Sequence, residues 1–391
     1  MSEDFFGDPS CPPSSLRSSV VDPPLFFSFF TSLKQRIKKS ESIMASLRQA
    51  LPLASLLLSS TVLFAGSAQN PGQDTQVQNQ EILNVSYDPT RELFQQINPK
   101  FEAFWEKSHP IELGIKQSHG GSGKQAQAVV DGLQADVVTL ALGPDVELLV
   151  DNKLINEEWQ QELPYNSAPY TSTIVYVVRP GNPKEIKDWS DLTRSDIGIV
   201  TPNPKVSGGA RWSYLAAWGY ALQGKGQNQE RAFDFVKSLY ERVVAFDSGA
   251  RGATVSFAER GLGDVLITWE NEAHQILKSY PEAQFEIVLP SVSILAEPVV
   301  AVVDSVVDAR GTREVATAYL NYLYTEEAQE IIAQNFYRPR NEEILAKYKD
   351  VLSPISLFSV EERFASWEAA QDLHFGPGGK LDQILNAAQL Q

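Results

Sequence analysis

Cysteine is all but missing from this sequence. Cys11 stands alone, so no disulfide can form within the chain, and cysteine says nothing about the compartment. Histidine is scarce too. His109, His119, His274 and His374 have no metal-ligand spacing, and no metal site is expected. Positive charge is in short supply: 33 Lys and Arg stand against 49 Asp and Glu, a formal net charge of −16. That balance argues against nucleic acid, which is bound through an excess of basic residues. It also means that the field of the whole protein cannot steer an anion inward, so an anionic ligand would depend on local donors and dipoles. The apolar run Leu51–Ala65 is short for a membrane span, which needs roughly 20 residues.

That run has another reading. Arg48 precedes it and Gly66-Ser67-Ala68 follows it, so Met44–Ala68 has the layout of a secretory signal peptide. Cleavage near Ala68 and a periplasmic location are expected. Residues 1–43 hold the run Leu25-Phe26-Phe27-Ser28-Phe29-Phe30 and then Lys34, Arg36, Lys38 and Lys39. Either translation starts at Met44 or these residues extend the basic end of the signal, and no fold is assigned to them. Residues 69–80, rich in Gln and Asn, read as a flexible leader. At 391 residues the chain is too long for one ordinary core, and two lobes are expected.

From Ile82 onward strands and helices alternate, which predicts an α/β fold on parallel sheets. Strands are expected at Ile82–Ser86, Ile111–Lys116, Asp136–Leu142, Thr171–Val178, Ile197–Val200, Val243–Phe246, Asp264–Thr268, Phe285–Leu289 and Pro298–Val303. A helix from Arg91 restarts at Asn98-Pro99 and carries a buried stripe of Phe101, Phe104 and Trp105. Helices are also expected at Ala210–Leu222, Gln229–Tyr240, Ala253–Arg260, Val315–Asn335 and Glu361–Leu385.

The most informative stretch is Thr201–Trp212, where Ser207-Gly208-Gly209 passes from a strand to a helix N-terminus. The first N–H groups of a helix have no intrahelical partner and sit at the positive end of its dipole. Adjacent glycines let the backbone approach a ligand closely, which suits an oxyanion. Taken alone, the stretch also reads as a Ser N-cap with a glycine turn. The same device recurs at Tyr87-Asp88-Pro89, Gly120–Lys124, Ser248–Gly252 and Thr268-Trp269, all at the carboxyl ends of strands, where open α/β sheets bind ligands. These turns offer backbone N–H groups, the hydroxyls of Ser122 and Ser207, and the Trp269 indole, which only donates. Donors alone select an oxyanion that carries no proton.

Enzyme motifs fit poorly. Ser118 and Gln125 stand where a phosphate-binding P-loop has Gly and Ser or Thr. Lys124 stands where a nucleophile elbow around Ser122 has Gly. Asp88 reads as a helix cap more readily than as a catalytic carboxylate. Lys124, Arg211 and Arg251 either meet the anion directly, stand behind its donors or are solvated.

On these residues the chain resembles the periplasmic sulfate-binding proteins of ABC importers. The stretches that carry the resemblance are Leu83–Leu93, Gln117–Gln125, Ser167–Thr173, Thr201–Tyr220, Asp247–Gly252, Gly263–Glu272, Ile294–Pro298 and Asn335–Arg340. Val206 departs from the family pattern, which has a second Ser there. The resemblance implies a two-lobed periplasmic-binding-protein fold of type II with a hinge. Its lobes are expected at 81–168, 169–296 and, returning to the first lobe with the C-terminal helices, 297–391. It implies sulfate held by the N–H groups of Ser122, Gly208, Gly209 and Ala250, the Ser207 hydroxyl and the Trp269 indole. Asp88, Arg91, His119, Lys124, Arg211 and Arg251 would stand behind them. It implies delivery to membrane permease subunits, with no enzymatic activity and no cofactor; a monomer is expected. Thiosulfate or molybdate binding is the alternative within the class, and a secreted sulfate or phosphate ester hydrolase lies outside it.

Overall fold

The computed structural model describes residues 78–223 and 228–390. Cys11, residues 1–43, the signal-peptide reading of Met44–Ala68 and most of the expected leader lie outside the described residues. The leader's last residues do not: β1, Gln78–Tyr87, already includes 78–80, and Gln78 to Tyr87 run parallel to Ile111 to Gly120 of β2. The polar start of β1 is held by this pairing along its whole length.

In the first lobe, β1 lies between β2 (Ile111–Gly120) and β3 (Val137–Leu140), parallel to both. The chain crosses over through β4 (Tyr170–Thr171) into β5 (Ile174–Val178). The second lobe continues with β6 (Ile199–Pro202), β7 (Val243–Asp247), β8 (Val265–Trp269) and β9 (Glu286–Val288), in the order β7-β6-β8-β5-β9. The chain then passes through β10 (Ser293–Ile294) to β11 (Val299–Val302), which joins the first sheet beside β3. The short strands β12 (Arg338–Pro339) and β13 (Leu357–Phe358) pair with β4 and β10.

The sheets are mixed, which corrects the wholly parallel expectation. β5 runs antiparallel to β8, with Ile174 opposite Trp269, and β11 runs antiparallel to β3, with Val299 opposite Leu140. Both strands enter from the other lobe. They start at the cleft, where their neighbours end, and so run the opposite way. The same crossing splits the expected strand Thr171–Val178: Ser172 bridges to Ala296, and the two halves belong to different sheets.

Each sheet buries apolar side chains beneath its helices. Val85, Val138, Leu140 and Leu149 pack in the first lobe, and Val177, Val200, Leu266 and Phe257 in the second. Each such side chain stabilises the fold by roughly 1.5–3 kcal/mol. The helix Arg91–Glu106 is unbroken with Pro99 inside it. The carbonyl that Pro99 leaves unpaired is that of exposed Gln95, where water can serve it. Its buried face is Leu93, Phe94, Ile97, Phe101 and Trp105; Phe104, expected in the stripe, is 48% exposed and lies against Tyr322 at the rim.

After β11, the helices Arg313–Tyr322 and Glu326–Gln334 cover the first lobe beside Arg91–Glu106. Of the closing helices, Lys380–Ala387 instead packs on the helix Gln229–Tyr240 of the second lobe, and Trp367–Ala370 bridges the lobes, Trp367 meeting Trp212 while the helix touches Gly143–Asp151 of the first. There the Tyr214 hydroxyl meets Nδ1 of buried His374 at 3.0 Å. Among the described residues no helix is long and apolar enough to cross a membrane.

Candidate functional site

The cleft lies where strand ends from both lobes face each other. β1 ends at Tyr87 and the chain turns through Asp88-Pro89-Thr90. β2 ends at Gly120, Gly121 follows, and Ser122 opens the helix Ser122–Val130. From the second lobe, Ser207 caps the helix Gly208–Ala221, its Oγ accepting the Ala210 N–H at 3.4 Å. Gly249 precedes the short helix Ala250–Thr254, which begins three residues before the expected Ala253. β8 ends on Trp269, the N-cap of the helix Glu270–Ser279.

All six residues expected to touch the ligand, Ser122, Ser207, Gly208, Gly209, Ala250 and Trp269, line this one cleft. Ser122, Gly208 and Ala250 are the first residues of their helices and Gly209 is a second residue, so their N–H groups have no intrahelical acceptor.

Close approach between the lobes depends on glycine. A Cβ on Gly121 would come within 2.6 Å of the Val206 carbonyl oxygen, and one on Gly208 within 2.7 Å of the Ala141 side chain. A Cβ on Gly209 would come within 2.1 Å of the Trp269 Nε1, which places the indole N–H over that glycine. The indole is buried, with Tyr87 of the first lobe 5.7 Å from it, ring centre to ring centre.

The hydroxyls of Ser122 and Ser207 differ. Ser122 Oγ accepts the Ala141 N–H at 2.9 Å, so it serves its own lobe. What Ser122 presents to the cleft is its N–H. Ser207 Oγ accepts from its own helix and keeps a proton to donate.

Among the described residues lining the cleft there is no Lys or Arg. The cations nearby are turned to carboxylates instead. Arg251 bonds to Glu92 across the lobes at 3.0 and 3.1 Å and pairs with buried Glu272 at 3.5 Å. Burial pushes the Glu272 carboxyl up; Arg251 and then the Thr254 hydroxyl pull it partly back. Arg211 reaches Asp145 of the first lobe at 3.7 Å, and burial likewise pushes Asp145 up. Arg91 pairs with Asp88 at 3.0 Å. Asp88 is the one carboxylate lining the cleft among the described residues, and its Oδ2 lies against Gly249. His119 does not line the cleft. Its Nδ1 is 2.6 Å from Ser86 Oγ, and burial, then Arg91, pulls its pKa down to about 4, so it is neutral at pH 7. Lys124 is exposed, with no ion pair or side-chain hydrogen bond among the described residues.

Sequence reasoning missed Ala141. Its N–H orients Ser122 and its carbonyl accepts the Trp212 indole from the other lobe at 2.8 Å. It also missed the acidic partners Glu92, Asp145 and Glu272. Ala141 closes an apolar strand and nothing local distinguishes it. The acids look like solvated charges until the fold buries them.

The arrangement can hold a small anion with neutral donors from two lobes. Comparison with known proteins agrees with this chemistry. Over residues 82–338 the chain matches a family described as bacterial extracellular solute-binding protein. It is similar to the sulfate-binding protein of Escherichia coli (strain K12), with 56% identity over 304 residues, 78% of this chain and 92% of that protein. It is also similar to the thiosulfate-binding protein of Pseudomonas aeruginosa, with 46% identity over 329 residues, 84% of this chain and 98% of that protein. Its structure is similar to that of the sulfate-binding protein of Mycobacterium tuberculosis H37Rv, with TM-score 0.68 and 31% identity over 75% of this chain and 98% of that one. With a family match and relatives of this extent, built around a cleft of helix N-termini, the chain belongs to the bacterial extracellular solute-binding proteins.

Proposed function

We propose that this protein binds sulfate in the periplasm and delivers it to the membrane permease of an ABC importer. The observation that carries the reading is the cleft's make-up: neutral N–H and O–H donors from both lobes, with each nearby arginine already matched to a carboxylate. Sulfate is a dianion without a proton, so it needs only donors. The N–H groups of Ser122, Gly208, Gly209 and Ala250, the Ser207 hydroxyl and the Trp269 indole would hold it. A hydrogen bond to a charged group contributes roughly 1.5–3 kcal/mol, so about six of them offset the desolvation of the ion only if they are pre-organised and dry. Closure of the lobes provides that. The protein then acts as a carrier without turnover, exported by the Met44–Ala68 segment with cleavage near Ala68.

Isothermal titration against sulfate, thiosulfate, molybdate and phosphate tests the reading. Saturable sulfate binding at micromolar or lower concentration is expected, with thiosulfate measuring the alternative. Phosphate keeps a proton at neutral pH and should bind far more weakly. Comparable phosphate binding would mean that Asp88 serves as an acceptor, and the donor-only reading would fall. Absence of sulfate binding would remove the proposal altogether.

A further inference from the structure

The segment Asn335–Arg338 lies within the stretch Asn335–Arg340 that resembles the family but takes no part in the cleft's lining. It leaves the helix Glu326–Gln334, which is fastened to the first lobe: Gln96 Nε2 donates to Asn335 Oδ1 at 2.9 Å, and Lys100 pairs with Glu327 at 3.2 Å. Phe336 then adopts φ +66°, a left-handed conformation uncommon for a bulky side chain. Its ring stacks on His274, from the second lobe's helix Glu270–Ser279, at 5.0 Å. Such strain persists only where the surroundings over-determine it.

The next two residues reach opposite walls of the cleft. The Tyr337 hydroxyl donates to the Pro89 carbonyl at 2.9 Å, and Pro89 belongs to the first-lobe turn that lines the cleft. Arg338 on β12 forks onto Glu270, Nε to Oε2 and Nη2 to Oε1, both at 2.7 Å. Glu270 directly follows Trp269 and opens its helix. Tyr337 and Arg338 are both buried, and the Tyr337 ring also packs, tilted, against Tyr170 of the crossing strand β4, 4.7 Å between ring centres. A bidentate Arg–carboxylate pair restrains orientation as well as distance.

We propose that Tyr337 and Arg338 are positioning residues for the anion: one dipeptide of the crossing segment ties the Pro89 turn to the Trp269 end, so that the donors of the two lobes converge as a unit. Neither side chain touches the ligand. Hydrogen bonds keep their strength only within a few tenths of an ångström, so a small shift of one wall against the other takes several donors out of range at once. This inference rests on the anion-binding reading above.

The test uses the full chain and two variants. Tyr337→Phe removes a single hydroxyl. Arg338→Met with Glu270→Leu replaces the ion pair by apolar side chains, so neither charge is left buried alone. Sulfate affinity by calorimetry should fall by about tenfold in each, the size of one well-placed hydrogen bond. The melting temperature of sulfate-free Tyr337→Phe should move little. Hydrogen exchange of the sulfate-free proteins supplies the readout that a local structural role would not move. Tyr337→Phe, which touches only the first wall, should speed exchange in Trp269–Ala273. The double variant, made at the second wall, should speed exchange in Tyr87–Leu93. If each variant loosens only its own wall, or if affinity is unchanged, the coupling is overturned. If the native protein takes up no sulfate, the functional reading fails by itself, and the exchange pattern still decides the coupling.

Discussion

The cleft and the crossing segment handle buried charge in opposite ways. Behind the cleft, Arg338 and Glu270 stay in place whether or not a ligand is bound, and they are paired with each other within the protein. In the cleft, the proposed charge arrives and leaves, and the cradle is made of uncharged dipoles. A fixed cation there would be left uncompensated each time the anion departed, at a cost of several kcal/mol. N–H groups at helix starts turn to water instead. A charge that stays is best met by a counter-charge, and one that comes and goes is best met by dipoles.

The largest expected effect comes from breaking the permanent pair. Arg338→Met leaves Glu270 buried without its partner and should lower stability by about 3–5 kcal/mol, read by chemical denaturation. Replacing both partners by apolar residues should recover most of that loss. If Arg338→Met alone costs nothing, the contrast between the two regions is wrong.

Next in size is Gly209→Ala. The added Cβ falls 2.1 Å from the Trp269 Nε1, and the buried indole has nowhere to retreat. Sulfate affinity should drop by about a hundredfold or more, counting one lost charged hydrogen bond and the displaced backbone. Trp269→Phe removes the same donor without the clash and should weaken binding by about 1–3 kcal/mol. Calorimetry on the two variants together separates the donor from the space it occupies.

A smaller effect concerns pH. Sulfate affinity should be flat between about pH 5 and 8, because neither the ion nor its donors titrate there and His119 stays neutral down to about pH 4. Stability behaves differently. The unfolded chain protonates His119 near its ordinary value of 6.5, whereas the fold resists until about 4, so between those values the unfolded state binds more protons. His119 therefore contributes stability above 6.5 that is lost as pH falls through the window. His119→Gln should flatten that part of a denaturation-versus-pH curve. The smallest effect is expected from Lys124→Ala. If the cleft uses no cations, affinity should change by less than about 0.5 kcal/mol; a tenfold loss would show that Lys124 meets the anion after all.

The donors were legible because their chemistry is local. Ser207-Gly208-Gly209 declares a helix N-terminus in its own sequence, and so does Gly121-Ser122. Their convergence was not legible: five separate turns share a cleft only because both sheets aim their strand ends at it. The antiparallel direction of β5 and β11 is not legible for a related reason. Apolar strands look alike in either direction, and only the crossing between lobes dictates which end faces the cleft. Phe104 was misplaced because periodicity marks a face, and the neighbouring Tyr322 decides where that face ends.

By itself the sequence determined the α/β alternation, the surplus of negative charge and the helix starts rich in glycine and serine. These depend on propensities and dipoles that act over a few residues. The tertiary structure alone decided that Arg211 and Arg251 are spent on Asp145 and Glu92. It alone set Ala141 behind Ser122 and joined Tyr337 and Arg338 to opposite walls. Unlike the local Arg91–Asp88 pair, three residues apart, those pairings span tens to hundreds of residues, and which charge meets which is settled by the packing that carries them into contact.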